Sequence, residues 1–539
     1  MARVGDGASP SPGRVEAAWT RIAEGAAAAD NRFATRLGDV EAAQRATLSG
    51  LLADNAGTVF GGEHGFSGIG SAEIFRERVP ISGYNGFKPY VERLIAGEAG
   101  VLTSEPVRFL EQTGGSSGGS KYIPYTDSSL RAFTDCLHPW LADLIRRRPG
   151  VTRGHAYFAL SPVGRSLEAR VGGHRLGSPV PFAYFGALRD SLIELSAVPM
   201  ELRLLADFET WQRRTCLDLL AAEDLALIWV WSPTYLTELL RAMRRDAASL
   251  LPELAMRLAA VQPSDAVRRR IAALETALGG AGPLGALWPR LDTISCWTDA
   301  ASKGFADEIR ALFPGVFIQS KGLMSTEAAV SFPYGEGPGC LLAAGSGFFE
   351  FIDASGAGRF AWQIEAGQTY RLIVTTAAGL YRYDTHDMVE VTGFTGDTPR
   401  LRFLGREGLV SDLCGEKLTE PFVASCLGEV GLAGEPYALL VATSAPRPGY
   451  RLYVEAGPAG IDADLLGPSL DRALSANPQY EYARRIGQLD PLRAKTVVDL
   501  YGRLKRHRLR AGMSIAGMKA PVLIGNADAG LVSAFETDS

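Results

Sequence analysis

Apolar residues recur every three to four positions through the early part of the chain. In the later part they come in short unbroken runs or alternate. Leu48, Leu51 and Leu52 at i, i+3 and i+4 give residues 15–54 one helical apolar stripe. The same period predicts helices over 86–98, 128–148 and 200–224, and a Leu- and Ala-rich helical region from Tyr235 to Leu278, interrupted near Pro263. VRFLEQT (107–113) and KYIPYT (121–126) read as strands on either side of GGSSGGS, and LALIWVW (225–231) as a buried strand stopped by Ser232-Pro233. From 290 onward strands dominate: TISCW, VFIQS, CLLAAGSGFFEFID, TYRLIVTTAAGLYRY, MVEVTGF and RLRFLG. Early helices and later strands predict a large α/β domain with several sheets.

The pattern restarts after REGLVSDLCGEKLTE (406–420) with a helix over 420–430, strands YALLVAT and YRLYVEA, and a helix over 461–475. That is a second, smaller α+β unit of ordinary domain size. The expected organisation is a disordered tail (1–14), a large N-terminal domain (15–411), a hinge (412–420) and a C-terminal domain (421–539).

Composition narrows the function. Hydrophobic residues make up 46% and charged residues 21% of 539, which excludes a fibrous or wholly disordered chain. The net charge of −5 gives no global basic field for nucleic acid. The apolar runs are too short to span a bilayer, and MARVGDGASPSPGR lacks the apolar core of a secretory signal, so a cytoplasmic protein without a membrane partner is expected. The six cysteines form no C-x-x-C pair and the histidines no H-x-x-x-H pair, which predicts reduced, mostly buried thiols and no all-protein transition-metal site.

Four segments could carry chemistry. TGGSSGGSK (113–121) has the glycines and hydroxyls of a phosphate-cradling loop, with Lys121 adding charge. It is not a Walker A loop, since Tyr-Ile-Pro-Tyr follows the lysine as strand; a plain Gly/Ser hairpin loop reads the same way. SKGLMSTEAAVSFP (320–333) sets Thr326 and Glu327 after a strand, where a carboxylate could hold Mg²⁺ beside phosphate oxygens or simply be an exposed loop residue. In GLYRYDTHDMVEVTGF (379–394), Asp387 could accept both hydroxyls of a ribose or sit in a turn. Arg406, Lys417 and Lys519 are each bland alone, and GRLKRHRLR (502–510) reads as a solvated helix face. No nucleophile elbow with ordered partners is present in the sequence.

The joint order changes the odds. A Ser/Thr/Gly loop before K-x-I-P-x-T, then S-T-E, Y-R-Y-x-x-x-D, G-R, G-E-K and a lysine before Pro resembles the adenylate-forming superfamily of acyl-CoA synthetases, adenylation domains and luciferases. More closely it resembles the Gretchen Hagen 3 acyl acid amido synthetases, and is read as a bacterial member. The resemblance runs from about Gln44 to about Ile524 and includes SAEIFRERVPISGYNGFKPYVERLIAGE (71–98) and GFFEFID (347–353).

That resemblance implies a large ATP- and acid-binding domain with a small C-terminal lid. It implies that Thr113, Gly115, Ser116, Ser117, Gly118 and Lys121 hold the triphosphate. Thr326 and Glu327 would form the nucleotide and metal motif, with Glu327 on Mg²⁺. Asp387 would take the ribose, with Arg406 nearby; Lys417 would be the hinge lysine that meets the nucleotide, and Lys519 the mobile catalytic lysine. Gly114, Leu323, Met324 and His386 depart from the family pattern, His386 standing where glycine is usual. The implied reaction joins a carboxylic acid to an amine or amino acid through an acyl adenylate, with ATP and Mg²⁺, in a chain expected to act as a monomer. An acyl-CoA synthetase, with 502–510 meeting a CoA phosphate, and a non-catalytic nucleotide- or acid-binding protein are the alternatives.

Overall fold

The computed structural model describes residues 12–114, 120–160, 168–205, 207–280, 282–406, 410–411, 413–414, 416–434, 436–443, 447–457, 462–485, 487–510, 520–525 and 529–537. Two sheets organise the large domain. One is parallel, in the order Ala156–Phe158, Leu227–Trp229, Thr293–Cys296, Phe317–Ser320. Its two inner strands are buried at every position, which is why LALIWVW shows no alternation. The helices Phe208–Ala221, Pro233–Arg245, Ala247–Ala259 and Ser264–Gly279 supply much of the core on that side.

The second sheet is antiparallel, ordered Gly358–Phe360, Gly347–Ile352, Thr369–Thr376, Leu380–Thr395, Thr398–Arg406, Cys340–Leu342, Ser331–Phe332. TYRLIVTTAAGLYRY is therefore a hairpin, and MVEVTGF continues its second strand. Asp387 lies inside that strand, not at its start. The helix Val40–Asn55 is pinned to this sheet by Gln44, which is fully buried: its Nε2 donates to Ala344 and Gly347 carbonyls, and its Oε1 accepts from Phe349 N–H at 2.8 Å. Between the sheets runs the helix Asp127–Arg147, capped by Thr126, whose side chain accepts from Ser129 N–H while Ser129 Oγ accepts from Thr126 N–H.

The smaller C-terminal unit carries a mixed sheet, Asp490–Val497, Gly449–Glu455, Ala438–Thr443, Leu523–Ile524, with its own apolar core. The chain therefore has the α/β architecture expected, a large multi-sheet domain followed by a small α+β domain. At the junction Val410–Ser411 pairs with Leu418–Thr419. Glu416, fully buried, accepts from Leu413 and Cys414 N–H and from Tyr450 Oη, so the small domain's sheet anchors this segment.

Three local readings are corrected. The first helix begins at Pro12, inside the segment read as a tail. Residues 200–224 split into a 3₁₀ turn, Met200–Leu204, and the helix Phe208–Ala221. The run 502–510 is a solvated face on one side only: Arg506 and Arg510 are exposed, while Gly502 is buried. It lies in the helix Leu500–Arg510, where Leu504 is buried and Lys505 Nζ donates to Glu238 Oε2 of the large domain at 3.0 Å. Arg503 donates to the Val498, Ala534 and Thr537 carbonyls, and Arg506 pairs with Asp499.

Candidate active site

Chain folding brings four of the candidate residues, Lys121, Glu327, Asp387 and Arg406, together from three distant segments. The hairpin Phe109–Gly114/Ser120–Tyr125 sets Thr113 directly across from Lys121. Gly115, Ser116, Ser117 and Gly118 lie outside the described residues. Asp387 and Arg406 face each other across adjacent strands, and Arg406 Nε donates to Asp387 Oδ1 at 2.9 Å. Register shifts flank Asp387 on both neighbouring strands, a bulge of the kind that re-aims a side chain. Thr326 and Glu327 sit on a tight turn closed by Ser325 N–H to Ala328 O at 2.9 Å. Tyr125 Oη donates to the Thr326 carbonyl at 2.7 Å and fixes that turn against the hairpin.

An arm of sequence outside the four candidate segments completes the frame. Arg76 and Arg382 both donate to the buried Glu350 carboxylate, and Arg382 also donates to the Arg76 and Val79 carbonyls at 2.8 and 2.6 Å. Ser82 then bridges the strand Leu380–Thr395: its N–H donates to Arg382 O, and its carbonyl accepts from Asp384 N–H. This delivers Tyr84, whose Oη accepts from Tyr122 N–H at 2.8 Å and whose ring lies 5.6 Å from Lys121 Nζ. Tyr383, next to Arg382, accepts from Lys121 Nζ at 3.5 Å.

The electrostatics follow from burial and charge. Desolvation pulls the Lys121 amine below the ordinary lysine range. The Glu327 and Asp387 carboxylates oppose that, and Arg406 adds to it. Asp387 holds Arg406 firmly protonated. Burial pushes the Tyr383 hydroxyl up, so it stays a neutral donor. Glu327 is only 7% exposed, and its carboxylate has no hydrogen-bond partner among the described residues. The result is a buried to half-buried cluster of two carboxylates, two cations and two phenols.

Not every candidate joins it. Lys417 is exposed, in a left-handed backbone conformation (φ 47°), with no contact to the cluster among the described residues. Lys519 lies outside the described residues. Leu323 and Met324 are buried, 7% and 8% exposed. His386 also has positive φ (57°) and an exposed side chain, so a residue other than glycine stands here at a backbone cost of roughly 1 kcal/mol. Sequence reasoning missed Tyr84 and Tyr383. The first Tyr of Y-R-Y is core and its Arg is a structural tie; only the second Tyr reaches the pocket.

Residues 30–318 match the GH3 family N-terminal domain, 340–406 its central domain and 423–528 its C-terminal domain. A probable indole-3-acetic acid-amido synthetase of Oryza sativa subsp. japonica is 26% identical over 581 residues, covering 93% of this chain and 94% of that protein. An indole-3-acetic acid-amido synthetase of Arabidopsis thaliana is 26% identical over 396 residues, covering 64% of this chain and 66% of that one. A solved acyl acid amido synthetase in complex with 2,4-DB superposes with a TM-score of 0.79 at 18% identity, covering 98% of this chain and 97% of that chain, and shares the fold. The expectation of a bacterial member is corrected here, because plant proteins dominate these relatives. With the N-terminal match alone spanning more than half of its length, the chain belongs to the GH3 family, the acyl acid amido synthetases, ATP-dependent enzymes that join a carboxylic acid to an amine.

Proposed function

We propose that adenylation takes place on the cluster of Lys121, Glu327, Asp387 and Arg406, and that an amine then takes the acyl group. The observation that carries this reading is the convergence of those side chains around a lysine whose charge is partly desolvated. An amide bond does not form from a carboxylate without activation. The substrate carboxylate attacks the α-phosphorus of ATP and pyrophosphate leaves; the amine then attacks the acyl carbon and AMP leaves. Fixed donors aimed at the phosphate oxygens lower the first barrier.

In this assignment Lys121 and the loop 113–118 face the triphosphate. Arg406 occupies Asp387 Oδ1 and leaves Oδ2 for the ribose hydroxyls. Among the described residues no three His, Cys, Asp or Glu side chains group closely enough to hold a metal alone. One unengaged carboxylate fits Mg²⁺ shared with phosphate oxygens, and Glu327 is that residue. Such an ion would supply charge neutralisation at the phosphates. Lys417 is proposed to meet the nucleotide from the hinge and Lys519 from the lid. The working unit is proposed to be a cytoplasmic monomer; among the described residues no helix is long and apolar enough to cross a membrane. Within 502–510, Lys505 is taken up by Glu238 of the large domain and Arg503 by carbonyls of the small domain, so neither is proposed to seat a CoA phosphate.

Pyrophosphate exchange over a panel of carboxylic acids tests the first step. Product mass after adding either CoA or a mixed amine pool tests the second. An amide supports the reading. Normal ATP binding without exchange for any acid, or a thioester with no amide, overturns it.

A further inference from the structure

Lys321 is buried, 2% exposed, and its Nζ has no hydrogen-bond partner. The amine lies 3.5 Å from the centre of the Trp229 ring, 5.0 Å from Trp231 and 6.0 Å from Trp140. Trp140 is itself held by its Nε1–H to Gln319 Oε1 at 2.8 Å. Three indole faces attract a cation but accept no conventional hydrogen bond. A methionine would fill the same space without desolvating an amine, so packing does not call for a lysine here.

Its place in the fold points toward substrate. In open sheets ligands bind beyond the carboxyl ends of parallel strands. Three neighbouring strands of the parallel sheet end at Trp229, Cys296 and Ser320, and Trp231, Trp297 and Lys321 follow them. From Lys321 the chain turns at Gly322 (φ 74°), packed against the Ser331 carbonyl, and runs to Thr326 and Glu327. The inner wall, Trp140 and Trp229, is buried. The outer wall, Trp231 against Trp297 at 5.9 Å between ring centres, is half-buried and is the less covered side of the cage.

We propose that Lys321 Nζ is a specificity-determining group that recognises a second acceptor oxygen on the acyl substrate. The acid would place its reacting carboxylate by Glu327 and Lys121, displace the Trp231 indole, and end in a carboxylate or hydroxyl on Nζ. The assignment rests on the ligase reading above for the position of the reacting end. Burial holds the amine far below the ordinary lysine range, and a ligand oxyanion would restore its charge.

The test is calorimetric titration of matched acids into the full chain without ATP: hexanoate against adipate and 6-hydroxyhexanoate, and benzoate against terephthalate. Wild type is expected to bind the oxygen-bearing member about tenfold or more tightly, and Lys321→Met to bring each pair within about twofold, with no loss of melting temperature. Equal affinities in wild type, or a preference that survives in Lys321→Met, overturn the proposal. Lys321→Leu, which also removes the amine, is read in the same way should the methionine variant not fold. Pyrophosphate exchange with the same acids separates the two readings. Preference in binding without exchange sinks the ligase assignment and leaves Lys321 standing; exchange without preference does the reverse.

Discussion

Arg406 donates to only one oxygen of Asp387, over 2.9 Å, from the position directly across the strand pair. The pair is thus a holder with one acceptor atom left over. Asp387 is 3% exposed, so deleting its carboxylate would strand a charged neighbour and confuse stability with binding.

Asp387→Asn is therefore the sharper variant. It keeps the shape and an acceptor for Arg406 and removes the charge that a ribose diol would meet. Nucleotide affinity should fall by about 1.5–3 kcal/mol, read by calorimetric ATP titration. Wild-type affinity in this variant would contradict the ribose assignment.

Lys121 sets a pH prediction. Burial holds its folded pKa below the ordinary lysine range, so its charge is lost as pH rises through that lowered value, before an ordinary lysine would lose it. ATP affinity should weaken along the alkaline range in wild type. Lys121→Arg keeps its charge there and should flatten the profile, while Lys121→Met should bind weakly at every pH. Identical alkaline profiles for wild type and Lys121→Arg would remove Lys121 from phosphate binding.

The small domain, proposed above as a lid, is docked by particular contacts. A Cβ on Gly304 would lie 2.6 Å from Gly434 Cα, Phe305 packs on Tyr437, Thr234 Oγ1 donates to Tyr501 Oη at 3.1 Å, and Lys505 pairs with Glu238. Gly304→Ala should push the lid off this seat, and Glu238→Gln should weaken docking by about 2 kcal/mol by leaving Lys505 underpaired. Paired fluorescent labels on the two domains report the change. Unaltered label distances in both variants would mean that these contacts do not set the lid's orientation.

How far the sequence reached depends on what each residue's neighbours are. Asp387 and Arg406 were singled out by the motif order that carries the resemblance, since each alone reads as an ordinary turn or surface charge; their strand register then sets them side by side. Tyr84 was not, because the bridge that positions it joins Ser82 to Tyr383, a contact between segments about 300 residues apart that no local period reveals. Lys505 was misread because charges spaced along a helix look solvated until a partner such as Glu238 arrives from another domain. Lys321 drew no attention, since a single lysine after a strand carries no sign of the tryptophans that surround it.

Lys519 is expected to act in the transition state more than in the ground state. Lys519→Ala should then slow adenylation far more than it weakens ATP binding, in single-turnover kinetics beside an ATP titration. Equal losses in both would reduce it to a ground-state ATP ligand.

Cys414 should report the hinge. Burial pushes the thiols of Cys216, Cys296 and Cys340 up to about 12 and that of Cys426 to about 11, and raises Cys136 as well, so thiolate is scarce at each near neutral pH. Cys414 is half-buried in the segment anchored by Glu416, and its Sγ donates to the Gln488 carbonyl of the small domain at 3.6 Å. A maleimide added to the native protein should therefore modify Cys414 first, with the others following only on unfolding. If the segment turns when the lid moves, the contact to Gln488 breaks or tightens, and the labelling rate must change on adding ATP with an activatable acid. Peptide mass mapping identifies the modified site. Rapid labelling of Cys216 or Cys340 would show that their packing opens readily. A Cys414 rate indifferent to ATP and acid would place the pivot elsewhere in the chain.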